Sequence, residues 1–237
     1  MLAAKAQLRD EVWDALRSAK AARFPGAEGR IPNFVGAEAA AERLRAVPAW
    51  QDAGTVKANP DAPQWPVRQR ALEDGKTLYM AVPRLVEEKP FFLLDPTRLS
   101  DSPRQASSIK GASRSAVTVD VFDLEPVDLV VAGCVAVGED GARLGKGGGF
   151  SDLELAVAAE AGLIDPSTVV VTTVHNLQVR ARGDIPTAGH DIHVDLVVTP
   201  DRLIECSRPR AYERPRLRWQ ELTAEKIAAI PLLQRLR

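Results

Sequence analysis

Apolar positions recur at helical spacing from the first residues: Leu2, Leu8, Val12 and Leu16 stand among charges. This predicts an amphipathic helix from residue 2 to about 22, closed by Phe24, Pro25 and Gly26. After a polar turn and the run Ile31-Pro32-Asn33-Phe34, a second, alanine-rich helix is expected over 37–45, stopping before Pro48. The pattern then changes. Runs at 54–58, 77–82, 129–132, 168–172 and 194–198 are apolar with little alternation, as in strands covered on both faces of a parallel sheet. Helical segments at about 67–73 and 153–161 precede two of these runs. The alternation predicts an α/β fold, an open and mainly parallel sheet flanked by helices. Residues 102–115, polar, basic and rich in serine, read as a mobile loop. From residue 208 the chain alternates Arg and Pro, then predicts a short helix from near Thr223 to just before Pro231, expected to dock on the body.

A length of 237 residues suits one compact domain with insertions, and 45% apolar with 27% charged residues provides a core and excludes disorder. The 31 basic and 32 acidic side chains leave a net charge of -1, which lacks the electrostatic footprint of a dedicated nucleic-acid binder. Cys134 and Cys206 form no CxxC pair, so no disulfide framework or cysteine zinc site is expected and a reducing cytoplasm fits. The first residues carry charge where a signal peptide needs an apolar stretch, and no run of 18 apolar residues suggests a membrane partner.

The segment 143–152 carries the most chemistry: Arg143, Leu144, Gly145, Lys146, Gly147, Gly148, Gly149, Phe150, Ser151 and Asp152. Glycines at 145, 147 and 149 let backbone N–H groups converge on an anion, and the following helix adds its positive end. Phosphate is the natural guest, although a tight structural turn has the same composition. The segment is neither a Walker loop nor a dinucleotide fingerprint, since no Gly-Lys-Ser/Thr closes it and its glycines are spaced one apart. Lys146 and Arg143 supply cations. Asp152 beside bound phosphates would need an intervening cation and so suggests Mg2+, with helix-dipole stabilisation as the other reading. Ser151 with Glu154 three residues on reads as a capping box.

Lys5 and Arg9 lie four apart on one helix face, a mildly unfavourable pair that an anion would reverse, or else a solvated face. His175, His190 and His193 with Asp195 could be imagined around zinc, but no helical H-x-x-x-H supports it and ordinary hydrogen bonds satisfy such imidazoles. Asp191 precedes a buried strand, where spacing alone does not settle whether it meets a ligand.

Together these residues resemble the 5-formyltetrahydrofolate cyclo-ligase family, on Lys5 to Arg9, on the 143–152 loop with its helix, and on Gln178 with His190 and Asp191 before a strand ending in Thr199. The likeness is greater to the methenyltetrahydrofolate synthetase domain-containing proteins, which similarly show Arg23-Phe24-Pro25, Arg30-Ile31-Pro32-Asn33-Phe34, Pro83-Arg84-Leu85, Gly145-Lys146-Gly147 and Ile230-Pro231-Leu232-Leu233. Animal members add an RNA recognition motif, which is not expected here. The resemblance implies a NagB/RpiA/CoA-transferase-like fold and ATP-dependent closure of 5-formyltetrahydrofolate to 5,10-methenyltetrahydrofolate with release of ADP and phosphate. It implies that Lys5 and Arg9 grip ATP phosphates, that residues 143–151 cradle them, that Arg143 and Lys146 serve catalysis, and that Asp152 and Asp191 hold Mg2+. The family's usual Tyr-Tyr-Asp is Phe150-Ser151-Asp152 here, keeping one aromatic face for the pterin. Its pterin-holding glutamate after the first strand is replaced by Asn59-Pro60-Asp61-Ala62-Pro63-Gln64, leaving Asp61 and Gln64 as substrate candidates. Alternatives are a paralogue that binds nucleotide or folate as a regulator, and an ATP-dependent enzyme with another small substrate.

Overall fold

The structure, a computed structural model, describes residues 1–188, 191–206 and 215–237, without the side chain of Arg84. Its strands in chain order are β1 (Thr55–Ala58), β2 (Thr77–Ala81), β3 (Phe91–Leu94), β4 (Val117–Val119), β5 (Leu129–Val131), β6 (Ala136–Gly138), β7 (Arg143–Leu144), β8 (Val169–Thr173), β9 (Val179–Arg180), β10 (Leu196–Val198) and β11 (Leu203–Glu205). Among the described residues, eight of them form one sheet in the order β11-β10-β8-β5-β1-β2-β3-β4, and β7-β6-β9 form a smaller one. The central strands β10, β8, β5, β1 and β2 are parallel, and β11, β3 and β4 add antiparallel edges. These central five are the strands that the apolar runs predicted. Burial on both faces demands apolar residues throughout, whereas β4 is largely exposed and β11 half-exposed, so neither carries that pattern.

The helices are α1 (Leu2–Ser18), α2 (Ala37–Arg45), α3 (Pro48–Asp52), α4 (Trp65–Glu73), α5 (Pro103–Ala106), α6 (Ile109–Ser115), α7 (Phe150–Glu160), α8 (Ala224–Ala229) and α9 (Pro231–Leu236). Helix α1 ends at Ser18 rather than near 22, and Lys20 follows with a left-handed φ of 53°. Its inner face is Lys5, Val12 and Leu16, while Leu2 is exposed. Pro48, expected to stop a helix, starts α3, because proline at the first helical position loses no hydrogen bond. The expected loop at 102–115 is instead α5 and α6. Ser102 and Ser108, read as loop formers, are caps: the Ser108 hydroxyl accepts from the Gly111 N–H at 2.9 Å. The buried Arg68 guanidinium then pins the pair by donating to the Ser107 carbonyl at 2.9 Å.

Alternate residues of each central strand feed two cores. Val56, Leu78, Met80, Leu129 and Val131 meet Leu44 of α2, Trp50 of α3 and Val67 of α4. Tyr79, Val130, Val170 and Val197 meet Leu155 and Val157 of α7, together with Ile230, Leu232 and Leu233 from the end of the chain. Each such side chain contributes about 1.5–3 kcal/mol on burial. The connection from β1 to β2 runs over one face through α4, and that from β5 to β8 over the other through α7. The carboxyl ends of β1 and β5 therefore part, which opens a crevice between them.

Candidate functional site

A cleft of about 680 Å³ occupies this crevice. Asn59 and Asp61 line it from the turn after β1, Gly133 from the end of β5, the glycine loop from one side and the start of α7 from behind. Helix α1 packs Val12 and Leu16 on the small sheet, and this contact fixes the loop's entry. Leu144 belongs to that apolar contact, so its place in the loop is structural. Arg9 Nε donates to the Gly145 carbonyl at 2.7 Å, and Lys5 Nζ meets the Asp191 carboxylate at 2.5 Å. Gly147 and Gly149 take left-handed φ values of 103° and 66°, and Gly149 is the N-cap of α7. Any side chain at these two positions would be strained.

Arg143 lies beneath the loop. Its guanidinium donates to the Gly133 carbonyl at 3.0 Å and pairs with the Asp152 carboxylate, while its Nε has no hydrogen-bond partner among the described residues. Burial pulls this guanidinium down, but Asp152, Cys134 and Asp191 hold it above its ordinary range. Burial lowers Arg9, with Asp10 and Asp191 opposing. Lys5, Arg9, Arg143, Asp152 and Asp191 thus form one electrostatic cluster. Lys146 is exposed at the rim, 3.2 Å from Asp61.

The floor holds charges that sequence reasoning missed. Lys57, in the middle of β1, pairs with Glu154 of α7 at 2.8 Å, and Asn59 donates to the same Glu154 oxygen at 2.8 Å. The Asn59 side-chain oxygen, Oδ1, accepts from the Gly133 N–H at 3.1 Å and from the Ser151 hydroxyl at 3.3 Å. Burial pushes the Glu154 carboxyl up, against the pull of Lys57. Arg68 donates to the carbonyls of Asn59 and Asp61 at 2.6 and 3.0 Å, and burial drops its pKa to about 10. A lysine inside an otherwise apolar strand was the legible signal for this network.

The expected capping box of Ser151 and Glu154 is absent. Helix α7 begins at Phe150 with Gly149 as its cap, which places Ser151 inside the first turn and turns Glu154 inward to Lys57. Asp61 faces the cleft, but Gln64 is buried below it, its Nε2 3.5 Å from the Thr173 carbonyl. Gly133 roofs Gln64 so closely that a Cβ there would stand 2.9 Å from Gln64 Oε1. His175 caps a short turn, its Nδ1 accepting from the Leu177 N–H at 3.2 Å, and Asp195 accepts from the Val170 N–H at 2.8 Å. His190 lies outside the described residues. Among the described residues no three His, Cys, Asp or Glu side chains cluster as metal ligands. Asp152 nevertheless presents a hard carboxylate oxygen beside Arg143, and Asp191, paired with Lys5, acts on that guanidinium electrostatically. Such donors fit Mg2+ where phosphate oxygens complete its shell.

The 5-formyltetrahydrofolate cyclo-ligase family matches residues 1–200. The chain belongs to this family. Among curated relatives, the methenyltetrahydrofolate synthase domain-containing proteins of Bos taurus and Homo sapiens are 39% and 35% identical over 98% of this chain. This chain spans 62% and 61% of their lengths. The mitochondrial 5-formyltetrahydrofolate cyclo-ligase of Arabidopsis thaliana is 34% identical over 38% of this chain. The Aquifex aeolicus 5,10-methenyltetrahydrofolate synthetase structure shares the fold, with TM-score 0.56 and 20% identity, covering 90% of this chain and 97% of its own. No helix among the described residues is long and apolar enough to cross a membrane. Asp61, a substrate candidate on the sequence reading, is tied to Lys146 in this structure. Lys226 of α8, which sequence reasoning did not single out, donates from Nζ to the Gly148 carbonyl at 3.0 Å.

Proposed function

We propose that this protein cyclises 5-formyltetrahydrofolate to 5,10-methenyltetrahydrofolate at the expense of ATP, as a single folded unit. The observation that carries the reading is a glycine loop held by Arg9, underlain by the buried Arg143 and edged by Lys146, opening onto a cleft at the parting of β1 and β5, with the Lys5–Asp191 pair acting electrostatically on Arg9 and Arg143 through Asp191. In this reaction the formyl oxygen attacks the γ-phosphorus and displaces ADP. N10 then attacks the activated formyl carbon and loses its proton, and the original oxygen leaves within phosphate. A formamide oxygen is a poor leaving group until phosphorylated, so the protein's work is positioning and neutralising charge.

Lys146, exposed at the rim, meets the transferring phosphoryl group, and residues 145–151 cradle the phosphates with Lys5 and Arg9 behind them. Arg143 acts from below by holding Gly133 and Asp152 in place. Asp152 and Asp191 are the residues that would hold Mg2+, whose charge would neutralise phosphate oxygens. Asp61 and the Phe150 ring would take the pterin. Cys134 and Cys206 are free thiols, which suits a reducing compartment such as the cytoplasm.

Purified protein with ATP, Mg2+ and 5-formyltetrahydrofolate should develop methenyl absorbance together with stoichiometric ADP. The Lys146–Asp61 pair also favours a second reading, in which nucleotide or folate binds without turnover because the pterin carboxylate is already engaged. Binding of ATP without ADP release would select it; ADP release without methenyl absorbance would select another substrate.

A further inference from the structure

The glycine loop is held at two carbonyls by cations from opposite ends of the chain. Arg9 of α1 takes the Gly145 carbonyl at 2.7 Å, and Lys226 of α8 takes the Gly148 carbonyl at 3.0 Å. Lys226 Nζ also stands 5.0 Å from the centre of the Phe150 ring and would lie 3.2 Å from a Cβ at Gly149. A trans peptide is planar, so its N–H points opposite its carbonyl. Turning the Gly148 carbonyl onto Lys226 therefore turns the Gly149 N–H away from it. Gly149 lines both the main cleft and a smaller cavity of about 150 Å³ beside α8. With glycine at both 148 and 149, no Cβ restricts rotation of this peptide, so its setting depends on what holds it from outside the loop.

Resting on the nucleotide-binding reading above, we propose that Lys226 is a positioning residue of the phosphate site, a clamp that sets the 148–149 peptide for anion binding. It lies beyond residues 1–200, which the family match covers, so the site would be completed by a segment the family match does not reach. Two features allow the lysine to act on the loop rather than on its own segment. Helix α8 is capped by Thr223, whose hydroxyl accepts from the Lys226 N–H at 3.2 Å. The following residues Ile230, Leu232 and Leu233 are fully buried in the main core, so this segment is anchored without the lysine's help.

The test compares wild type with Lys226→Ala and Lys226→Arg by hydrogen exchange without ligand, and by calorimetric titration with Mg2+ and ATP. A charged hydrogen bond of ordinary strength predicts that Lys226→Ala raises exchange at 147–150 and weakens ATP by about tenfold, with Lys226→Arg restoring most of both. Exchange at 230–236 should stay unchanged. Unaltered exchange at 147–150, or an equal rise at 147–150 and 230–236, would overturn the clamp, the second because the lysine would then be fastening the chain end. If wild type itself binds no ATP, the nucleotide reading fails, while the exchange data still decide whether Lys226 sets the loop.

Discussion

The floor and the rim of the cleft both pair a lysine with a carboxylate, yet the two pairs differ in kind. On the floor, Lys57 and Glu154 expose 2% and 5% of their side chains at 2.8 Å; on the rim, Lys146 and Asp61 expose 46% and 19% at 3.2 Å. A buried pair is locked in place, because removing either partner strands a charge in the interior. An exposed pair contributes about 0–1 kcal/mol and exchanges readily for another partner. The fold thus separates its charges by task. The floor joins β1 to α7 and sets the turn at Asn59, while the rim leaves its cation exposed at the mouth of the cleft.

The largest effect should come from the floor. Lys57→Met should cost about 3–5 kcal/mol, read as a lowered denaturation midpoint, whereas Lys57→Met with Glu154→Leu should recover most of it. The same pair has a pH signature. The Glu154 pKa is raised in the folded protein, chiefly by burial, so the folded state binds this proton more tightly than the unfolded chain does. Its contribution is fully present below the ordinary glutamate value of about 4.3 and fades as pH rises through the raised value. The stability difference, wild type minus double variant, should therefore fall with rising pH across that window. A flat difference would show that Glu154 titrates as it does in the unfolded chain.

This network marks the boundary of what the sequence discloses. The five central strands were legible because burial on both faces leaves an apolar run. Lys57 interrupts such a run and carried a signal, but its partner is 97 residues away and nothing local names it. Glu154 was misread because a local rule, Ser followed three residues later by Glu, competed with a tertiary partner and lost. The loop at 102–115 failed similarly, since serines that cap two short helices have the composition of a mobile segment. Residues of the glycine loop were legible as a group because backbone geometry there depends on glycine itself. Which cations hold that loop was only half legible, as Lys226 arrives from the far end of the chain.

Asp152 spans both regions, since the carboxylate lies at the rim and its partner Arg143 is buried. Asp152→Asn removes the charge opposite that guanidinium, and the fold should lose about 1–3 kcal/mol, the range for a buried polar group left short of its partner. It should also abolish the Mg2+ dependence of nucleotide binding. A variant that melts early but keeps the wild-type Mg2+ titration would make Asp152 a prop for Arg143 alone. Lys146→Ala should give the opposite balance. Its stability change should stay below about 1 kcal/mol, as for an exposed pair, while ATP affinity measured by calorimetry should fall about tenfold or more, as for a lost charge-assisted contact. Unchanged affinity would remove Lys146 from the phosphate site and erase the division between floor and rim.

The smallest effect tests the rim's other partner. Asp61 follows Pro60, and Arg68 holds its carbonyl from below at 3.0 Å, so its backbone is fixed while its carboxylate faces the cleft. A pterin offers a donor-rich edge that a carboxylate can accept in paired hydrogen bonds, and losing that acceptor leaves donors short of partners. Asp61→Asn should leave the denaturation midpoint nearly unchanged. In an active enzyme it should raise the KM for 5-formyltetrahydrofolate by about tenfold with kcat and the KM for ATP close to wild type, the pattern of lost uniform binding. The variant also frees Lys146, so a lowered KM for ATP beside an unchanged folate KM would mean that Asp61 restrains the lysine and does not hold the pterin. In that case the buried Glu154, which also lines the cleft, becomes the carboxylate to test next.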